Sequence, residues 1–133
     1  MYKMDITCED FNGNEIKSTE YFNLNKVQAM KLVASHGGMD KYLQSIIDKK
    51  EAGAADFIEF VEELVYKAYG KRNEDGSFDI KEETKEEFTK TPQYDETVYT
   101  LLTNVDEFQK FFTGILPKAM QDLVREGEKA DKA

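Results

Sequence analysis

The chain has few residues of the kinds that build reactive or cross-linked sites. Its 133 residues include one cysteine, Cys8, one histidine, His36, and no tryptophan. A single cysteine excludes an internal disulfide bond and a cysteine-rich zinc site, and a catalytic triad would need unusual groups. We interpret His36, which precedes two glycines, as a helix cap, and Cys8 as a small buried apolar residue. The sequence therefore predicts no enzyme activity, no cofactor and no metal.

The sequence also has no long apolar segment and fewer basic than acidic residues. No segment approaches the roughly 18 apolar residues of a membrane span, and the first residues lack the apolar stretch of a signal peptide. The chain has 18 Lys and Arg against 27 Asp and Glu, for a net charge of -9. Such a field repels phosphate groups, so binding to nucleic acid or to an anionic membrane is not expected. The predicted location is the cytoplasm.

Apolar residues are nevertheless frequent enough for a packed core. They make up 40% of the chain, aromatic residues make up 12%, and the length suits a single domain. We predict one domain over residues 1–133, in the α+β class but mostly α. It consists of an N-terminal β-hairpin at 1–24, a compact bundle of short helices at 25–126, and a frayed charged tail at 127–133.

The hairpin prediction rests on alternation. Apolar and polar residues alternate from Tyr2 to Glu9, the period of a half-buried strand. The Asn-Gly pair that follows is a strong hairpin signal. With Gly13 in the left-handed conformation, a three-residue loop closes Asp10 against Asn14. The predicted pairs are Tyr2 with Phe22, Cys8 with Ile16 and, as the one mismatch, Met4 with Glu20.

Helical periodicity begins after the hairpin. Capping residues precede several apolar stripes, as in Asn25 with Gln28 three residues later, and Thr91 followed by Pro92. The segment 71–79 between two helices is polar and is predicted to be a loop. The predicted helices follow Asn25 and Gly38, span 56–69 and 81–89, and then follow Thr91, Asn104 and Pro117, the last with Met120, Leu123 and Val124.

Residues 71–82 partly match a calcium-binding EF-hand loop. Asp75, Gly76 and Asp79 fall at suitable positions, and Glu82 falls at the twelfth. Lys71, however, occupies the first position, where an aspartate would reach the ion. We therefore interpret the segment as an Asp-Gly turn in a polar loop.

One apolar stripe is denser than the others and is the predicted partner-binding site. A partner helix could lie against it through anchors at helical spacing. The competing interpretation is that Phe108 and Phe112 belong to the core and that only Phe111 or Leu116 reaches the surface. The hairpin's open edges offer a second route to self-association, so a homo-oligomer is predicted. The stripe consists of Phe108, Phe111, Phe112, Ile115 and Leu116.

Several turn and capping segments occur together in a familiar order. They are Asp10-Phe11-Asn12-Gly13, Tyr21-Phe22-Asn23-Leu24, Gly37-Gly38, Ala68-Tyr69-Gly70, Asp75-Gly76-Ser77-Phe78, Phe88, Thr91, Tyr94, Asn104 and Gly114-Ile115-Leu116-Pro117. In this order and spacing they resemble the tail assembly chaperones of siphophages that infect Gram-positive hosts. The resemblance covers nearly the whole chain.

The resemblance implies an assembly factor without catalytic residues. Such proteins bind the long, helical tape measure protein, help the major tail protein to polymerise around it, and are absent from the mature virion. The expected location is then the host cell cytoplasm. In many such phages a ribosomal frameshift adds a second domain to a fraction of the chains.

A second hypothesis comes from the charge. An acidic protein could inhibit a host nucleic-acid enzyme by mimicking DNA, and the carboxylates between Glu74 and Glu87 would supply the clustered charge. Capture of a nuclease or polymerase from a host lysate would favour this alternative over tail assembly.

Overall fold

The computed structural model describes residues 1–122 and confirms a mostly helical α+β fold that begins with a β-hairpin. Residues 118–122 are also helical, whereas Leu123, Val124 and the predicted tail at 127–133 lie outside the described residues. The elements are β1 (Tyr2–Glu9), β2 (Glu15–Phe22), α1 (Lys26–Ser35), α2 (Met39–Ala52), α3 (Ala54–Ala68), β3 (Tyr69–Arg72), β4 (Phe78–Asp79), α4 (Glu82–Phe88), α5 (Pro92–Thr103) and α6 (Val105–Ile115).

The N-terminal hairpin has the predicted register. Gly13 has a φ of 83°, and the Asp10 N–H donates to the Asn14 carbonyl over 2.8 Å. The Asp10 carboxylate also accepts hydrogen bonds from the backbone N–H groups of Asn12 and Asn14. All three predicted pairs are present, including Met4 opposite Glu20. The loop chemistry therefore sets the register locally, as expected for an Asn-Gly turn.

Capping chemistry sets the helix starts where the sequence predicts them. The Asn25 N–H donates to Gln28 Oε1 over 2.9 Å at the start of α1. The side chains of Thr91 and Asn104 each accept from the N–H three residues further on, over 3.3 and 3.1 Å. These bonds satisfy backbone donors that the first helical turn leaves free.

The segment 71–79 differs from its prediction. It is a second hairpin, and α3 ends at Ala68, so Tyr69 belongs to β3 rather than to the helix. Tyr69 pairs with Phe22 and Gly70 with Tyr21, which joins both hairpins into one antiparallel sheet of order β1-β2-β3-β4. The Phe78 ring lies against Gly70, where a β-carbon would clash with it. The sequence of β3 does not predict this pairing with β2, because the strand has only four residues and two of them are charged.

The core lies between the sheet and the helices. Phe22 is fully buried at its centre. Its ring makes edge-to-face contacts with Tyr69, Phe88 and Phe111, with centroids 5.9, 6.1 and 5.2 Å away. One ring thus links the first hairpin to β3, α4 and α6, which are distant from it in sequence.

Glu20 is the one carboxylate that the hairpin register turns towards this core. Burial raises the pKa of its carboxyl, and the hydroxyl groups of Ser18 and Tyr69 oppose this rise in part. A group whose folded-state pKa is raised contributes stability at acid pH and loses it as the pH rises through that pKa. We expect Glu20→Gln to stabilise the protein at pH 7, where the wild-type carboxyl must ionise in a half-buried place, and the gain to disappear near pH 4, where the glutamate is protonated as well.

Urea denaturation of both proteins at several pH values measures this difference. Glu74→Gln, an exposed change in the turn between β3 and β4, is the control and should have little effect at either pH. A Glu20→Gln protein that is less stable than the wild type at pH 7 would contradict the prediction.

Candidate partner-binding site

The predicted partner-binding stripe lies on α6 and faces inward. Phe111 and Ile115 are fully buried, and Phe112 and Leu116 are nearly so. Phe108 is half-buried. In the folded chain a partner reaches at most Phe108 directly. Contact through the other four side chains therefore stays a prediction, and it requires α6 to leave the core.

The contacts of α6 explain this burial. Phe111 packs edge-to-face on Tyr2 of β1, with ring centroids 5.7 Å apart, in addition to its contact with Phe22. Phe112 stacks on Tyr42 of α2 at 5.8 Å. The competing interpretation placed Phe112 in the core, which the structure confirms. It also placed Phe111 or Leu116 at the surface, which is wrong, because both are buried.

The only histidine lies at a helix end, as the sequence predicts, whereas the only cysteine faces the core as predicted but is not fully buried. His36 is the C-cap of α1, and its Nδ1 lies 2.8 Å from the Leu32 carbonyl oxygen. Cys8 is partly buried and packs against the core. Burial, together with the nearby Glu96 carboxylate, raises the pKa of the Cys8 thiol. A raised pKa suppresses the reactive thiolate, in agreement with a packing role.

The calcium-like segment forms the predicted Asp-Gly turn. Asp75 Oδ1 accepts from the Ser77 N–H over 2.9 Å and from the Ser77 hydroxyl over 2.6 Å, and Gly76 has a φ of 87°. The carboxylate is therefore bonded within the turn that joins β3 to β4. Among residues 1–122, no group of three or more His, Cys, Asp or Glu side chains is arranged to hold a metal ion.

An open groove of about 740 Å³ lies between α1, α3 and the start of α4. Its lining is mainly apolar, and the chain around it is well anchored. The Asn23 N–H donates to the Ala68 carbonyl and the Leu24 N–H to the Ile115 carbonyl, each over 2.8 Å. The principal apolar lining residues are Leu24, Leu32, Tyr66 and Ile80.

The α1 wall of this groove differs in charge from the rest of the chain. Residues 21–39 contain no Asp or Glu, although they include Lys26 and Lys31. Of the ten described residues of α1, only Ala29 is buried, while Val27 and Met30 are exposed. The helix thus offers apolar and basic side chains to solvent. An acid-free run in a chain with 27 acidic residues is a sequence signal for this surface that motif analysis misses.

The floor of the groove contains a buried lysine that the sequence does not single out. Lys85 Nζ donates to the carbonyl oxygens of Tyr66, Lys67 and Tyr69, over 3.0, 2.8 and 2.8 Å. The first two carbonyls end α3, where a positive charge also complements the helix dipole, and the third begins β3. Burial lowers the pKa of the Lys85 amine. The ammonium therefore joins α4 to the end of α3 and fixes the shape of the groove.

Comparison with known proteins identifies the family. A family model described as a phage tail assembly chaperone matches residues 1–133, the whole chain. No curated protein and no solved structure matches. No helix within the described part of the chain is long and apolar enough to span a membrane. The match confirms the resemblance carried by the ordered turn and capping segments, and the chain belongs to the phage tail assembly chaperones.

Proposed function

We propose that this chaperone binds the tape measure protein in the host cell cytoplasm and assists the major tail protein to polymerise around it. It acts without catalysis, through protein contacts alone, and does not remain in the mature virion. The observation that supports the proposal best is the groove beside α1, whose exposed lining is mostly apolar although Lys31, Glu63 and Glu82 also line it, on a chain that is otherwise strongly charged.

The groove suits one face of an amphipathic helix. Helices α1 and α3 form the two walls of the groove. A client helix lying between them could bury apolar side chains at positions i, i+3, i+4 and i+7. Lys31 is exposed on the rim, whereas Lys67 already forms an ion pair with Glu63 at 2.7 Å. A client helix with a carboxylate beside its apolar face would therefore meet Lys31. A long helical tape measure protein offers many such segments.

We expect Ile80→Asp to weaken client binding at least tenfold while leaving the fold intact. Ile80 lines the groove and is 39% exposed. A carboxylate at this position would be desolvated by a bound apolar helix, at a cost above about 1.4 kcal/mol. Binding is measured by titrating the purified chaperone with the tape measure protein of the same phage, with thermal melts to check folding.

Ile58→Asp is the matched control. Ile58 is 37% exposed and lies on α3 away from the groove lining, so this variant should bind as the wild type does. Equal binding by both variants would remove the groove from the interface. Capture of a host nuclease or polymerase instead of tail proteins would favour the DNA-mimic hypothesis.

A further inference from the structure

The free edge of β1 is the longest exposed strand edge in the described residues. β1 is the outer strand of the sheet, paired over its eight residues with β2 alone. Within residues 1–122, the backbone hydrogen bonds made outside helices and strands include none from Tyr2–Glu9. Neither proline nor a bulge interrupts the strand, and these are common means of blocking edge pairing.

The hairpin register tells which backbone groups point outward. The Asp10 N–H points to Asn14 across the hairpin, and in an antiparallel pair the hydrogen-bonded residues alternate. Even-numbered residues of β1 therefore bond to β2, and odd-numbered residues point their N–H and C=O groups away from β2. The side chains of these odd residues are exposed as well: Lys3, Asp5, Thr7 and Glu9.

These residues are complementary to themselves in one antiparallel register. With Ile6 on a two-fold axis, Lys3 lies opposite Glu9 of the second copy, and Asp5 lies opposite Thr7. Asp5 already accepts from a threonine across the hairpin, Thr19, over 2.8 Å. Shifting the register by two residues places Asp5 opposite itself or opposite Glu9, and like charges opposite each other are destabilising.

The same register would also cover two exposed apolar side chains, one at each end of β1. Met1 is 56% exposed and Phe11, in the hairpin loop, is 84% exposed. They flank β1 at its two ends, and in this register Met1 of one copy lies beside Phe11 of the other. The contact would cover apolar surface at both ends of the paired strands.

We propose that a second copy of this chain pairs with the first through antiparallel β1 strands, with Ile6 on the two-fold axis. The two sheets become one continuous sheet, and the interface is isologous. Cross-strand ion pairs between Lys3 and Glu9 occur twice and select the register. This interface is independent of the proposed client groove, which lies at α1 and α3.

Charge exchange tests the register directly. Lys3→Glu places two glutamates opposite each other, and Glu9→Lys places two lysines opposite each other, so each variant should raise the dimer dissociation constant at least tenfold. An equimolar mixture of the two variants should dimerise as the wild type does, because each heterodimer restores both ion pairs. Sedimentation velocity at several concentrations measures the association, and thermal melts confirm that each variant is folded.

Thr7→Pro provides a second test that does not depend on charge. It removes an outward N–H while leaving the bonds to β2 in place, and it should abolish dimerisation with an unchanged circular dichroism spectrum. A wild-type chain that stays monomeric at every concentration overturns the proposal. Single charge variants that dimerise normally, or a mixture that does not recover, overturn it as well.

Discussion

Phe111→Ala is expected to lower the free energy of unfolding by about 3–5 kcal/mol. The Phe111 ring is fully buried and contacts both Tyr2 and Phe22. Its removal leaves a cavity where α6 meets the first hairpin, and rigid neighbours close such a cavity only in part. Because small domains have total stabilities of about 5–15 kcal/mol, most of the molecules could unfold on mild heating. Urea denaturation at 25 °C measures the loss.

Tyr99→Ala is the control for this experiment, because Tyr99 is an exposed aromatic residue on α5. The free energy of unfolding of Tyr99→Ala should differ from that of the wild type by less than about 0.5 kcal/mol. If Phe111→Ala unfolds at the urea concentration of the wild type but no longer binds the tape measure protein, Phe111 is a contact residue. That result would favour a binding state in which α6 leaves the core.

Lys85→Met is expected to cost about 2–3 kcal/mol of unfolding free energy. Methionine has a similar length and avoids the cost of burying an ammonium group. It cannot donate, however, to the three carbonyls that end α3 and begin β3. Leaving these carbonyls without a donor lowers the free energy of unfolding by more than the removal of the buried ammonium raises it. Urea denaturation again measures the loss.

Lys90→Met is the matched control, since Lys90 is an exposed lysine just after α4. It should unfold as the wild type does. A Lys85→Met protein of equal or greater stability would show that desolvation outweighs the hydrogen bonds of the ammonium. Client titration of the same variant tests whether the junction of α3 and α4 also maintains the groove.

We expect the two proposed surfaces to bind different partners. The open edge of β1 offers backbone groups and alternating charges, which suit an identical partner. The groove beside α1 offers apolar walls and an exposed rim lysine, Lys31, which suit an amphipathic client helix of varied sequence. A paired chaperone would carry two grooves, and two linked sites raise the avidity for a client with repeated helical segments.

Local chemistry made much of the fold predictable. The Asn-Gly loop and the alternation of β1 fix the first hairpin, because turn geometry and side-chain period act over a few residues. The caps at Asn25, Thr91 and Asn104 likewise act within one helical turn, and all three helices begin where they predict. The order of these local signals along the chain also carried the family resemblance, which the family match confirms.

Long-range packing decided the features that the sequence left open. The β3–β4 hairpin exists because Tyr69 and Gly70 pair with β2, nearly fifty residues earlier in the chain. A helical stripe such as that of α6 indicates which residues share a face, but not whether that face meets Phe22 and Tyr42 or a partner.

The candidate sites likewise depend partly on local sequence and partly on tertiary packing. The sequence by itself determined the family, the hairpin register and the alternating edge of β1, since these depend on neighbours in the chain. Only the tertiary structure buried Lys85 among the carbonyls of α3 and left the acid-free α1 beside an open groove. Burial and exposure depend on which elements pack together, and that choice is made by the summed contacts of the whole core.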